Sequence, residues 1–276
     1  MQVLRFASGL VLFTLLGSVA LAHDTWLITD RIDVPANAKI NIALTSGMKF
    51  PALEFGPKPE RIAKAGFRLG AQNGELKEFT AGNEALRIET SFEKEGVATI
   101  WLQLLPKELE LTDDKVAEYL DEIRATDEVR SAWARRKAGE KWKEEYTKCA
   151  KTCLAVGKAE DDRSWSEPVG LALEIVPVTN PTALKAGESA IIRLLRNGEP
   201  AANVAIALVQ DGSDERVFQT TDANGVATFT IPKPGKYLLA TTLLRRGKER
   251  IVEECFQHLH AASALNNSKA APPNSV

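Results

Sequence analysis

Hydrophobic and polar positions alternate along much of the chain after residue 23. Asp24-Thr25-Trp26-Leu27-Ile28 alternates after a polar start, and residues 39–44 do the same before Ser46-Gly47 breaks the run. Residues 97–104 are rich in β-branched and aromatic side chains behind Gly96 and predict a strand. Between these runs, residues 50–60 hold Pro51, Gly56, Pro57 and Pro59 and read as an irregular loop. The period changes near residue 113. Thr112-Asp113-Asp114 predicts a helix start, and Val116, Tyr119, Leu120 and Ile123 then share one helical face. A second helical stretch is expected from about Asp127 to Ala155, dense in Arg, Lys, Glu and Ala and interrupted at Gly139.

Strand character returns over residues 169–176, and Pro177 with Asn180-Pro181 marks a boundary. Residues 218–231 place two alternating runs around Asp222-Ala223-Asn224-Gly225, which predicts a hairpin. Pro232 and Pro234-Gly235 end it, and residues 236–243 predict another strand. The expected fold is mainly β, α+β overall. A β-sandwich domain over 23–178 carries a helical insertion at about 113–155, an immunoglobulin- or transthyretin-like β-sandwich follows over 179–262, and 263–276 form a disordered tail.

The first 22 residues change this picture. Arg5, the apolar run 9–17 and Ala20-Leu21-Ala22 have the order of a cleavable signal peptide. The alternative is an N-terminal anchor, but the run is short of the ~20 residues that a span needs. Cleavage after Ala22 predicts a periplasmic or secreted protein with His23 as its first residue and no later membrane span. The 276 residues are 44% hydrophobic and 26% charged with a formal net charge of −2, which excludes wholesale disorder and gives no electrostatic reason to bind nucleic acid. The basic run within 127–155 is interleaved with acids and reads as a solvated helix face.

Only three histidines are present, His23, His258 and His260. A terminal His23 offers its α-amine and its imidazole to one metal ion, a pair suited to Cu(II), Ni(II) or Co(II). The amine titrates near ~7.7–8, so a metal displaces its proton at neutral pH. His258 and His260 are two residues apart in an expected strand over 253–262, on one face with Glu254 and Phe256. His23, His258, His260 and Glu254 therefore make a candidate site for nickel, cobalt, copper or zinc; zinc would not need the amine. The plain alternative is two ordinary sheet histidines and an accident of the cleavage site. So few histidines argue for at most one defined site, not a metal store.

Cys149 and Cys153 share one face of the expected second helix, where a direct disulfide is strained. They pack that face, or one pairs with Cys255, or both thiolates hold a soft metal. Cys255 alternates with His258 and should face away from the histidines. No Ser-His-Asp order, nucleotide-binding glycine loop, HExxH or CxxC is present, so nothing points to a hydrolase.

Several segments resemble one family of exported bacterial proteins, the domain-of-unknown-function 4198 family, formerly described as a NikM-type nickel-uptake transporter component. They are Ala22-His23-Asp24-Thr25-Trp26-Leu27, a Tyr146-x-Lys148-x-x-Lys151 segment that resembles the family's helix end, residues 169–177, Asn180-Pro181, and Thr220-Thr221-Asp222-Ala223-Asn224-Gly225. The resemblance implies a β-rich first domain with a helical insertion and an immunoglobulin-like second domain. It also implies association with nickel or cobalt uptake, with a membrane transporter component as partner. The expected role is a non-enzymatic metal-binding accessory to metal uptake or homeostasis. The competing readings are a structural or interaction module of the cell envelope and, behind both, a copper-dependent oxidative enzyme.

Overall fold

Strand pairing, rather than local helix propensity, organises the chain. The computed structural model describes residues 23–246 and 250–261, with side chains up to Leu244 and backbone alone beyond it. The expected signal segment 1–22 and the expected tail 263–276 lie outside the described residues. In chain order the strands are β1 (Asp24–Thr29), β2 (Asp33–Val34), β3 (Ile40–Gly47), β4 (Ile62–Leu69), β5 (Gln72–Glu75), β6 (Phe79–Thr80), β7 (Leu86–Thr90), β8 (Gly96–Leu104) and β9 (Lys107–Leu111). Helices α1 (Asp113–Glu122) and α2 (Asp127–Ala134) follow. Then come β10 (Trp142–Val156), β11 (Leu173–Pro177), β12 (Ser189–Arg196), β13 (Glu199–Pro200), β14 (Ala205–Gln210), β15 (Arg216–Thr220), β16 (Val226–Thr230), β17 (Gly235–Arg246) and β18 (Arg250–Ala261). The protein is mainly β.

Three sheets result. A four-stranded sheet runs β1-β3-β7-β6, and a ten-stranded sheet runs β15-β14-β17-β18-β10-β8-β4-β5 with β2 and β9 also paired along β10. A third, four-stranded sheet runs β11-β12-β13 with β16 on β12. The small sheets share apolar cores with the large one. Ile42, Leu44 and Ile88 pack with Ile100, Leu102 and Leu154. Ile175, Ile192 and Phe229 pack with Ile206, Leu208 and Leu239. The strand β1 is buried on both faces, because Leu27 enters the first of these cores while Trp26 packs with Phe50, Val209 and Leu238 in another.

Four expectations need correction. The second helix stops at Ala134, and residues 142–156 form a fifteen-residue strand instead of the end of a helical insertion reaching 155. Propensity is a weak prior, and here tertiary pairing overrides it. β10 has β18 along one edge and β9 then β8 along the other, so residues 148–154 are buried although two of them are lysines. Gly139, at φ +80, lies in the turn that precedes the strand.

The expected hairpin is a crossing between sheets. β15 pairs with β14 and β16 pairs with β12. The turn chemistry itself holds: Asp222 Oδ1 accepts from the N–H groups of Asn224 and Val226, both at 2.8 Å, and Gly225 has φ +74. Such a turn reverses the chain but does not choose the neighbour of either strand. Residues 169–176 are strand only from Leu173, because the backbone N–H groups of Val169, Gly170 and Leu171 donate to the Glu174 carboxylate and not to a neighbouring strand. β3 runs on through Ser46 and Gly47, which stand opposite Thr25 and Asp24.

The boundary expected after residue 178 falls between β11 and β12, which pair with each other. Beyond it, β18 lies parallel beside β10, so strands from the two expected domains share one sheet.

Candidate functional site

His23 stands just before β1, held through its ring and its backbone carbonyl. Its ring meets the Phe55 ring edge to face, with centroids 5.4 Å apart. Its backbone carbonyl accepts a hydrogen bond from the Lys148 ammonium on β10. The next residue, Asp24, accepts from Arg216 Nη2 on β15 at 2.7 Å, and the same guanidinium lies 3.7 Å from the Glu122 carboxylate at the end of α1. An acid in the last turn of a helix opposes the helix dipole, and the guanidinium offsets that. A cleft lies over this group, lined by His23, Asp24, Glu122, Arg216, Phe218 and Thr242 among others. Burial pushes the Asp24 carboxyl above its usual range, against the opposing pull of Arg216, Lys148 and His23.

The other candidate ligands lie on β18, whose side chains are outside the described residues, so pairing places them by register alone. Glu254 stands opposite Lys148 on one side and Thr242 on the other. Lys148 reaches the His23 carbonyl and Thr242 lines the cleft, so position 254 is level with His23. His258 stands opposite Thr152 and Leu238, and His260 opposite Lys236. At ~3.3 Å per residue these are about 13 and 20 Å further along the strand. Among the described residues no group of three or more His, Cys, Asp and Glu side chains is placed to hold a metal ion. Sequence reasoning missed Asp24, Glu122, Lys148 and Arg216. Only Asp24 carried a signal, as the neighbour of His23; Arg216 is 192 residues away from it in the chain.

Lys151 explains two of the family-like segments at once. It is three residues from Lys148, so on a strand it points to the opposite face. There it donates to Glu174 Oε1 at 2.7 Å and to the Ile175 carbonyl at 3.0 Å. Glu174 also takes the three N–H groups of residues 169–171, and the Lys151 and Glu174 side chains are 0% and 1% exposed. A pair so enclosed meets no ligand. It ties β10 to β11 and stands as a structural element.

Cys149 and Cys153 are buried and share a face of a strand, not a helix. Four positions apart on a strand, they are separated by ~13 Å, too far for a mutual disulfide or a shared soft metal. Cys153 Sγ lies 3.6 Å from the Thr99 hydroxyl.

Fold and cleft together define a mainly β protein in which residue 23 and β1 lie between sheets beside a polar, charge-paired cleft. The chain belongs to the family described as "Domain of unknown function (DUF4198)", whose model matches residues 20–244. No curated protein matches it. Among solved structures, it is similar to the fibronectin(III)-like modules of CbhA from Clostridium thermocellum, with 9% identity, 91% of this chain and 99% of that chain covered, and a TM-score of 0.22. The adhesin FdeC of Escherichia coli gives 14% identity, coverage of 87% and 64%, and a TM-score of 0.22. The adhesin InvE of Yersinia pseudotuberculosis gives 13%, 87% and 58%, and 0.21. At such TM-scores the likenesses carry no argument.

Proposed function

We propose that this is an exported, non-enzymatic protein that binds one transition-metal ion through His23, as an accessory to nickel, cobalt or copper uptake or homeostasis. The observation that carries the reading is the placement of His23. It is partly buried at a polar cleft, with its carbonyl held by Lys148 and its ring against Phe55, so it is fixed rather than frayed. Cleavage after Ala22 gives it a free α-amine. Around it two carboxylates, Asp24 and Glu122, face two cations, Arg216 and Lys148. That balance leaves little anionic attraction for hard cations, which take oxygen ligands, and favours metals that prefer nitrogen. Glu254, in backbone register with Lys148, is the first candidate ligand on β18, and His258 and His260 follow it.

The test is calorimetric titration of Cu(II), Ni(II), Co(II) and Zn(II) into protein beginning at His23. Two comparisons are made, with a form retaining one extra N-terminal residue and with His258→Ala/His260→Ala. The reading expects the extra residue to weaken Cu(II) or Ni(II) binding at least tenfold, and the double variant to weaken it less. Equal affinity in all three forms overturns the His23 site.

A second reading is an interaction module of the envelope. It is favoured by β15, which ends the large sheet among the described residues and leaves Val217 48% exposed. Absence of any metal binding tighter than micromolar in that titration would support this reading in place of the first.

A further inference from the structure

The register of β10 against β18 places two of the three cysteines side by side. Cys149 stands directly opposite Cys255, one position beyond the Lys148–Glu254 pair. Neighbouring strands lie ~4.8 Å apart, which is inside the Cα separation that a disulfide spans, about 4.4–6.8 Å. Positions in register on adjacent strands lie on the same sheet face. Cys153 is excluded on both counts. It stands opposite Thr99 on β8, and at four residues from Cys149 it is ~13 Å from the level of either partner.

We infer that Cys149 and Cys255 form the one intrachain disulfide of this protein, and that Cys153 stays a thiol. The bond staples β18 to β10 and so fixes the strand that carries Glu254 beside the strand that carries Lys148. Its formation needs a disulfide oxidant, either a small disulfide such as oxidised glutathione or a disulfide-donating oxidoreductase. The thiolate of one cysteine attacks the oxidant's disulfide, giving a mixed disulfide and releasing one thiol. The thiolate of the other cysteine attacks the protein sulfur of the mixed disulfide and releases the second thiol. The two protein thiols lose two protons and two electrons, and the oxidant gains them. An exported protein meets such oxidants outside the cytoplasm. The pairing itself rests on the register and not on the metal reading.

The test refolds the whole chain from reducing denaturant into a buffer of reduced and oxidised glutathione. The product is unfolded without reductant, alkylated and mapped by mass spectrometry. The expected map has Cys153 alkylated and the peptides of Cys149 and Cys255 joined. Cys153→Ala keeps that link, and Cys149→Ala has no intrachain link. Three alkylated cysteines in the wild type, or any link through Cys153, overturns the inference.

Discussion

Lys151 and Glu174 carry the sharpest energetic consequence of any residue pair here. Removing one partner leaves a buried charge unpaired, which costs about 3–5 kcal/mol, while an apolar pair of similar volume is often close to neutral. Glu174→Ala is therefore expected to lower the urea-unfolding free energy by that amount. Lys151→Met/Glu174→Leu should recover much of it, and a double variant no better than Glu174→Ala would contradict the ion-pair account. Asp24 makes a prediction of opposite character, in pH. Its carboxyl is raised above 3.8 in the folded protein. Below that value Asp24 is protonated in both states and its contribution is fully present; as pH rises through the raised folded value, that contribution is lost. The stability of the wild type relative to Asp24→Asn should therefore fall as pH climbs above about 3.8. Thermal melts across this range check it, and a difference that rises with pH would contradict it. At this scale His23 was legible because the expected cleavage site directly precedes it. Arg216 was not, because nothing in the local sequence reports a partner in a different sheet.

Among the elements, β1 and β8 were legible and β10 was not. Short runs rich in β-branched, aromatic and other apolar residues mark strands buried on both faces, and β1 and β8 have them. The Lys and Glu of β10 read as helix because their partners are distant: Lys148 finds the His23 carbonyl and Lys151 finds Glu174. The Asp222–Gly225 turn shows the converse, since its local chemistry was legible while the pairing of its flanking strands was not. Its glycine is constrained twice. A Cβ at Gly225 would lie 2.5 Å from the Leu194 carbonyl oxygen, in a conformation with φ +74 that side chains disfavour. Gly225→Ala should destabilise by more than the roughly 1 kcal/mol of an unfavourable backbone alone. Chemical denaturation of that variant measures the loss, and a neutral effect would contradict the crossing geometry.

For the molecule as a whole, strands from both expected domains share one sheet. β17 and β18 join β14 to β10, and Trp26 from the N-terminal strand packs with Val209 and Leu238. The N- and C-terminal halves should accordingly unfold together. Far-ultraviolet circular dichroism and tryptophan fluorescence should give coincident denaturant transitions, and two separated transitions would contradict the continuous sheet. Trp26→Ala should lower that single transition by about 3–5 kcal/mol. Metal affinity, in turn, should fall on acidification, because protons compete with the metal for nitrogen ligands.

The central claim is that the amine and ring of His23 hold the metal together. The most direct measurement is pulsed electron paramagnetic resonance of the protein beginning at His23, loaded with one equivalent of Cu(II). The expected spectrum shows nitrogen coordination with the remote-nitrogen modulation of a bound imidazole. Both the imidazole signal and the coupling pattern should change when one residue precedes His23, and the imidazole signal should weaken in His23→Ala. An unchanged spectrum in either form would contradict the account.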